Sequence, residues 1–175
     1  MERQPFNKIV LIGFMGTGKS TISRLLSGRL GWARLDGDEE IERVSGKRIS
    51  DIFAADGEAG FRRIETTVLE SLLKDESPAI VATGGGAVLS EYNRSLMLDH
   101  AWVVALKASP EHIIERVKSD SSRPLLQGDA AERVHTLLEQ RKHAYDFAHF
   151  TVDTTGLTAE QVASAIMEAY EAYIL

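Results

Sequence analysis

Short apolar runs alternate along this chain with longer stretches in which apolar residues recur every three or four positions. Lys8-Ile9-Val10-Leu11-Ile12 is a β-branched run with no polar interruption after Lys8, as expected of a strand buried on both faces. From Ser20 to Leu30, the residues Ile22, Leu25, Leu26 and Leu30 fall at helical spacing, and Gly31 is a natural stop. Trp32-Ala33-Arg34-Leu35 reads as a second short strand ending at Asp36-Gly37-Asp38. Glu39 to Val44 is helical, closed by Gly46. Ser50 is placed to cap a short turn through Ala55 that Gly57 ends, and a longer helix runs from about Glu58 to Leu73.

Ala79-Ile80-Val81-Ala82-Thr83 is a third buried strand, followed by Gly84-Gly85-Gly86. Ser90 caps a helix to about Leu98, and Trp102-Val103-Val104-Ala105-Leu106 is a fourth strand. Ser109-Pro110 starts a helix that ends near Lys118, a cap residue followed by proline at the first helical position. Residues 119–129 show little periodicity and many loop formers, which makes the segment of about 119–130 the expected mobile lid. A helix then extends to about Phe147, a fifth strand covers about Phe150 to Val152, and Thr158 with Gln161 forms a capping box for the last helix.

Strands alternating with helices imply a parallel sheet covered on both faces, with ligands at the carboxyl ends of its strands. No internal repeat or long linker divides the 175 residues, so one domain over 1–175 is expected. With 43% hydrophobic residues, a core is available. The absence of cysteine excludes disulfides, thiolate metal sites and a cysteine nucleophile. A net charge of −6 argues against a nucleic-acid partner, which needs a basic face. No secretory apolar segment and no membrane-spanning run is present, so a cytoplasmic protein is expected.

The chemistry starts at Gly13-Phe14-Met15-Gly16-Thr17-Gly18-Lys19-Ser20-Thr21, which fits G-x-x-x-x-G-K-[ST] between a strand and a helix. In such a loop, backbone N–H groups and the helix N-terminus cradle a polyphosphate. Lys19 would reach the β- and γ-phosphates, and the Ser20 hydroxyl would ligate Mg²⁺. A second magnesium carboxylate is expected at the end of another strand, and the second strand ends in acids. Asp36 reads as that ligand, direct or through water. Asp38, further out, would meet the phosphoryl acceptor.

Arg141 falls on the apolar stripe of its helix with Val134, Leu138 and Tyr145, so it either meets an internal acid or lines a cavity for an anionic ligand. Arg62 has Glu65 three residues on, able to hold its guanidinium. Two oriented arginines suit a planar carboxylate; two structural ion pairs are the alternative. The triple glycine allows close backbone approach to a ligand, or is a plain flexible turn. Arg123, in the expected lid, is positioned to close over phosphates as a finger supplied in cis. The five histidines show no metal-ligand spacing, and no Gly-x-Ser-x-Gly elbow is present.

Taken together, these pieces resemble the shikimate kinase family. The matching segments are Gly13 to Thr21, Leu35 to Asp38, Ile49 to Phe53, Gly57 to Glu65, Ala82 to Gly86, Arg123-Pro124-Leu125-Leu126, and Gln140-Arg141 with Tyr145. They fall in the family's order over nearly the whole chain. The resemblance implies a three-layer P-loop NTPase fold, with a five-stranded parallel sheet, a lid and a substrate-binding helical region at about 38–65. It implies transfer of the ATP γ-phosphoryl group to the 3-hydroxyl of shikimate by a monomeric, Mg²⁺-dependent enzyme of aromatic amino-acid biosynthesis. Shikimate would be bound by Asp38, Arg62, Arg141 and the glycines Gly84, Gly85 and Gly86. ATP would contact Gly16, Thr17, Gly18, Lys19, Ser20 and Thr21, with Arg116 on the adenine side and Arg123 in the lid. Ser20 and Asp36 would serve Mg²⁺, and Lys19, Asp38 and Arg123 would carry catalysis.

Two departures stand out. Gly37 replaces the Ser or Thr the family usually has between the aspartates, and Thr154-Thr155-Gly156-Leu157 lacks the proline often found near the adenine. Another small-molecule kinase of this architecture, such as a gluconate or nucleoside monophosphate kinase, is the nearest rival reading. A non-catalytic ATP-binding regulatory module is a second.

Overall fold

The computed structural model describes residues 5–118 and 129–175. Arg123 and most of the expected lid lie outside the described residues. Five strands form one parallel sheet in the order β2-β3-β1-β4-β5: β1 (Lys8–Gly13), β2 (Ala33–Asp36), β3 (Ala79–Ala82), β4 (Trp102–Lys107) and β5 (Phe150–Asp153). All of its strand pairs are parallel. Seven helices accompany them among the described residues: α1 (Lys19–Leu30), α2 (Gly37–Ser45), α3 (Ile49–Lys74), α4 (Glu91–His100), α5 (Pro110–Lys118), α6 (Ala130–Gln140) and α7 (Ala159–Ile174).

The alternation of side chains along β1 divides the core. Ile9 and Leu11 face a layer made by Ile22 and Leu26 of α1 and Val162, Ala163 and Ile166 of α7. Val10 and Ile12 face the opposite layer, which includes Leu69 and Leu73 of α3, Met97 of α4, Ile113 of α5 and Val134 of α6. The strand therefore needs apolar residues at every position, which is why it reads as an unbroken run. A third cluster, Ile41, Ile52, Phe61 and Val68, ties α2 to α3 beside the main core.

Register positions the functional edge. Leu11 pairs with Ala82, Asp36 pairs with Ala82 from the other side, and Gly13 pairs with Leu106. The loops after β1, β2 and β3 thus open side by side at one carboxyl edge. Thr83 continues the alignment, its N–H and hydroxyl both donating to the Leu11 carbonyl at 3.1 and 3.0 Å.

Several local expectations hold. Gly31 and Gly46 end their helices in the left-handed conformation. Ser90 accepts from the Asn93 N–H, and Thr158 with Gln161 forms the full capping box. Two expectations do not. Helix α3 begins at Ile49 with Arg48 in the capping position, so Ser50 is no cap; Ile49 packs on the third cluster and draws the helix start earlier. Helix α6 stops at Gln140, not near Phe147, and residues 141–147 are turns. No glycine or proline marks that end. The chain leaves the helical path at Arg141, and a few residues on the Tyr145 hydroxyl donates to the Gly85 carbonyl at 2.7 Å. Among the described residues, no helix is long and apolar enough to cross a membrane.

Helix α3 bends at Gly57, whose φ of 68° and ψ of −175° belong to a region essentially restricted to glycine. A Cβ there would meet nothing within 4 Å, so Gly57→Ala tests backbone conformation alone. The variant is expected to lose about 1–3 kcal/mol of stability. Thermal unfolding checks this, each kcal/mol lowering Tm by about 2–4 °C for a chain of this size.

Candidate active site

The loop between β1 and α1 is closed on itself. The Lys19 ammonium donates to the carbonyls of Gly13 and Phe14 at 2.6 and 2.9 Å, and the buried Thr17 hydroxyl donates to Phe14 at 2.7 Å. From α5, Arg116 reaches across and donates to the Gly16 carbonyl at 3.3 Å. Its guanidinium also lies against Gly18, where a Cβ would stand 3.1 Å from Nη1. Thr21 is exposed in the first turn of α1. A loop gripped by two cations from its own sides is already arranged for an anion in its hollow.

At the end of β2, one oxygen of Asp36 caps α2, accepting from the N–H groups of Asp38 and Glu39 at 3.0 and 3.1 Å. Its other oxygen lies 3.5 Å from Arg34 Nη2, which also donates to the Ser20 hydroxyl at 2.8 Å. Arg34 therefore bridges the two residues expected to hold Mg²⁺. The donors there are a hydroxyl and a carboxylate, hard oxygens that fit Mg²⁺.

Gly84, Gly85 and Gly86 form a wall without side chains, and four elements meet at it. A Cβ on Gly84 would lie 2.9 Å from an Asp38 carboxylate oxygen and 3.1 Å from Glu65 Oε2. One on Gly85 would lie 3.3 Å from the Met15 nitrogen and 3.6 Å from Arg141 Nη1. One on Gly86 would collide with the Arg62 guanidinium. The triple glycine is thus a close approach and not a plain turn.

The two arginines converge there beside the loop that Lys19 grips. Arg62 donates to Glu65 at 2.9 Å, as its spacing predicts, and also to Glu58 at 3.3 Å. Arg141, the capping residue after α6, is only 4% exposed and lies over the Phe14 ring, 5.8 Å from its centroid. Its Nη1 and the Nε of Arg62 are buried with no hydrogen-bond partner among the described residues. A buried guanidinium with unmet donors costs several kcal/mol unless a ligand meets them.

Glu65 sits between these charges. Burial pushes its carboxyl above the ordinary value of 4.5, the nearby Arg62 partly offsets this, and Asp38 adds to it. Burial likewise raises the Tyr145 phenol, whose hydroxyl holds the glycine wall.

Of the expected residues, the structure brings Asp38, Arg62 and Arg141 against the wall of Gly84, Gly85 and Gly86, with Gly85 beside the Gly13 carbonyl that Lys19 holds. Ser20 and Asp36 meet through Arg34 at the end of β2. Arg123 lies outside the described residues. Sequence reasoning gave no role to Arg34, although a charged residue inside a strand was the signal. Tyr145 belongs to a core stripe and to the segments that carry the resemblance, but the sequence assigned it no role in the site.

This arrangement defines a small-molecule kinase built on a phosphate loop. The shikimate kinase family model matches residues 15–171. Shikimate kinase from Thermodesulfovibrio yellowstonii is 43% identical over 164 residues, covering 93% of this chain and 94% of that protein. Among solved structures, shikimate kinase from Acinetobacter baumannii in complex with shikimate superposes with a TM-score of 0.93 at 37% identity, covering 98% and 97% of the two chains. A gluconokinase from Sinorhizobium meliloti shares the fold alone, with a TM-score of 0.59 at 16% identity over 99% and 95% of the chains. The chain belongs to the shikimate kinase family.

Glu65 generates a pH prediction. Because its folded-state carboxyl is raised, its contribution to stability is complete below about 4.5 and is lost as pH rises through the raised value. Glu65→Gln removes that loss while keeping an acceptor for Arg62. Tm measured from about pH 4 to 8 should therefore fall more with rising pH in the parent than in the variant. Parallel curves would contradict the assignment.

Proposed function

We propose that this protein transfers the γ-phosphoryl group of ATP to the 3-hydroxyl of shikimate, giving shikimate 3-phosphate and ADP. The observation that carries the reading is the pair of guanidiniums, Arg62 and Arg141, with unmet buried donors beside the phosphate loop. Their planar forks suit the carboxylate of a small acid. Asp38 and the backbone of Gly85 would meet that acid's hydroxyls. Residues 1–175 act as one domain, with α2 and the first part of α3, about 38–65, as the substrate-binding region.

On this reading Lys19 turns from the Gly13 and Phe14 carbonyls to the β- and γ-phosphates, and Gly16, Thr17, Gly18, Ser20 and Thr21 line the polyphosphate. Arg116 serves the nucleotide from α5, and Arg123 closes over it from the lid. Ser20 and Asp36 hold Mg²⁺, which when bound neutralises phosphate charge. Asp38 orients the attacking hydroxyl and takes its proton late in the transfer. Phosphoryl transfer asks for this kind of positioning more than for a strong base. The enzyme is read as a cytoplasmic monomer. Its net charge of −6 opposes binding to nucleic acid.

A coupled assay with shikimate and gluconate as acceptors tests the activity, and ADP should form with shikimate only. Asp38→Asn should lower kcat by about 10²- to 10⁴-fold while the Kd for ATP holds. Near-normal turnover would refute its role. Arg141→Ala removes charge-assisted bonds worth about 1.5–3 kcal/mol, so the KM for shikimate should rise about ten- to a hundredfold. An unchanged KM would remove Arg141 from the site.

A further inference from the structure

Arg34 is tied down by all three of its guanidinium nitrogens. Nε donates to Ser23 at 3.0 Å, Nη2 to Ser20 at 2.8 Å with Asp36 3.5 Å away, and Nη1 lies 3.4 Å from Glu39. The side chains of Arg34 and Asp36 are each 17% exposed, whereas that of Glu39 is 64% exposed. The group thus spans α1, the end of β2 and α2, and its inner nitrogen lies between the two oxygens of the proposed magnesium site.

A magnesium ion on the Ser20 hydroxyl would sit about 2.0–2.1 Å from that oxygen. With Nη2 bonded to the same atom at 2.8 Å, the two positive centres would be within about 5 Å of each other. Like charges at that spacing, screened little by water, repel strongly. The guanidinium and the metal therefore exclude each other in this arrangement. Glu39 offers the exit: a carboxylate already at the outer nitrogen and open to solvent.

We infer that Arg34 is a tethered cation that closes the magnesium site in the free enzyme. It releases Ser20 and turns out to Glu39 when metal and nucleotide enter. It thereby sets the free Mg²⁺ concentration at which the metal–nucleotide complex binds. In the free enzyme it also keeps Ser20 and Asp36 from drifting apart. The inference rests on Ser20 and Asp36 being the metal ligands, as proposed above.

The test is a calorimetric titration of ADP into the full-length protein at a series of free Mg²⁺ concentrations, with no turnover involved. In Arg34→Leu, the Mg²⁺ concentration that half-maximally tightens ADP binding should fall about five- to tenfold, with metal-free ADP affinity held within about twofold. Glu39→Gln, an exposed change that leaves the fold intact, should shift it upward, because the displaced guanidinium loses its partner. Arg24→Gln removes an exposed charge from α1, the helix that carries Ser20, and should shift it less than about twofold.

An unchanged or higher Mg²⁺ requirement in Arg34→Leu overturns the inference. So does an equal shift in Arg24→Gln, or a loss of metal-free ADP affinity in Arg34→Leu, which would make Arg34 a phosphate ligand. Ser20→Ala separates the two levels. A magnesium dependence that survives Ser20→Ala refutes the metal-site reading itself. A dependence lost in Ser20→Ala yet untouched in Arg34→Leu refutes only the role of Arg34.

Discussion

A guanidinium buried under the carboxyl edge of the sheet, with a donor that no atom among the described residues accepts, is costly to fold. Arg141 is 4% exposed, and its guanidinium lies over the face of Phe14. A core of this size has the apolar area to tolerate one such group. What it gains is a donor pair that needs no reorganisation when an anion arrives. Everything around Arg141 can be understood as holding that donor still: Tyr145 fastened to Gly85, α6 cut short before it, and a wall with no side chains to cover it.

That wall depends on the sheet. Parallel pairing at the register of Leu11 with Ala82 brings the loop after β3 against the loop after β1, and Asp36 beside Ala82 brings the end of β2 to the same level. A shift of one residue in β3 would turn Val81 and Ile80 to the wrong layers, so the two core clusters fix the register and the register fixes the site. Stability and function are coupled here through geometry rather than through shared residues.

The same distinction decides what was legible in the sequence. Strand β1, the phosphate loop and α1 could be read because their pattern is local: an apolar run, fixed glycines and a helical stripe. The capping box at Thr158 and the stops at Gly31 and Gly46 are local too. The end of α6 was not legible, since no glycine or proline marks it and the contact that anchors the chain just beyond it joins Tyr145 to a residue sixty positions away. The short 3-10 turn at Ala87–Leu89 was likewise hidden, because it follows from where the glycine wall must turn. Arg34 was missed for a third reason. Its partners Ser20, Ser23 and Glu39 come from three stretches that each had a sufficient explanation without it.

Those partners point to how an acidic chain manages an anion site. Lys19 rests on two loop carbonyls, Arg116 on a third, Arg62 on Glu58 and Glu65, and Arg34 on Ser20 and Asp36. Ligand binding on the proposed reading is then an exchange of partners, each cation leaving a neutral or anionic group already present. Exchange is weaker than capture by bare charge, since each new bond replaces an old one. It is also more selective. An anion that satisfies only one of these cations gains little, whereas one that engages the loop, and another that engages both arginines, recover the whole set. Arg62 Nε and Arg141 Nη1 give the exchange a direction: each is a donor with nothing to leave, so binding there is a net gain.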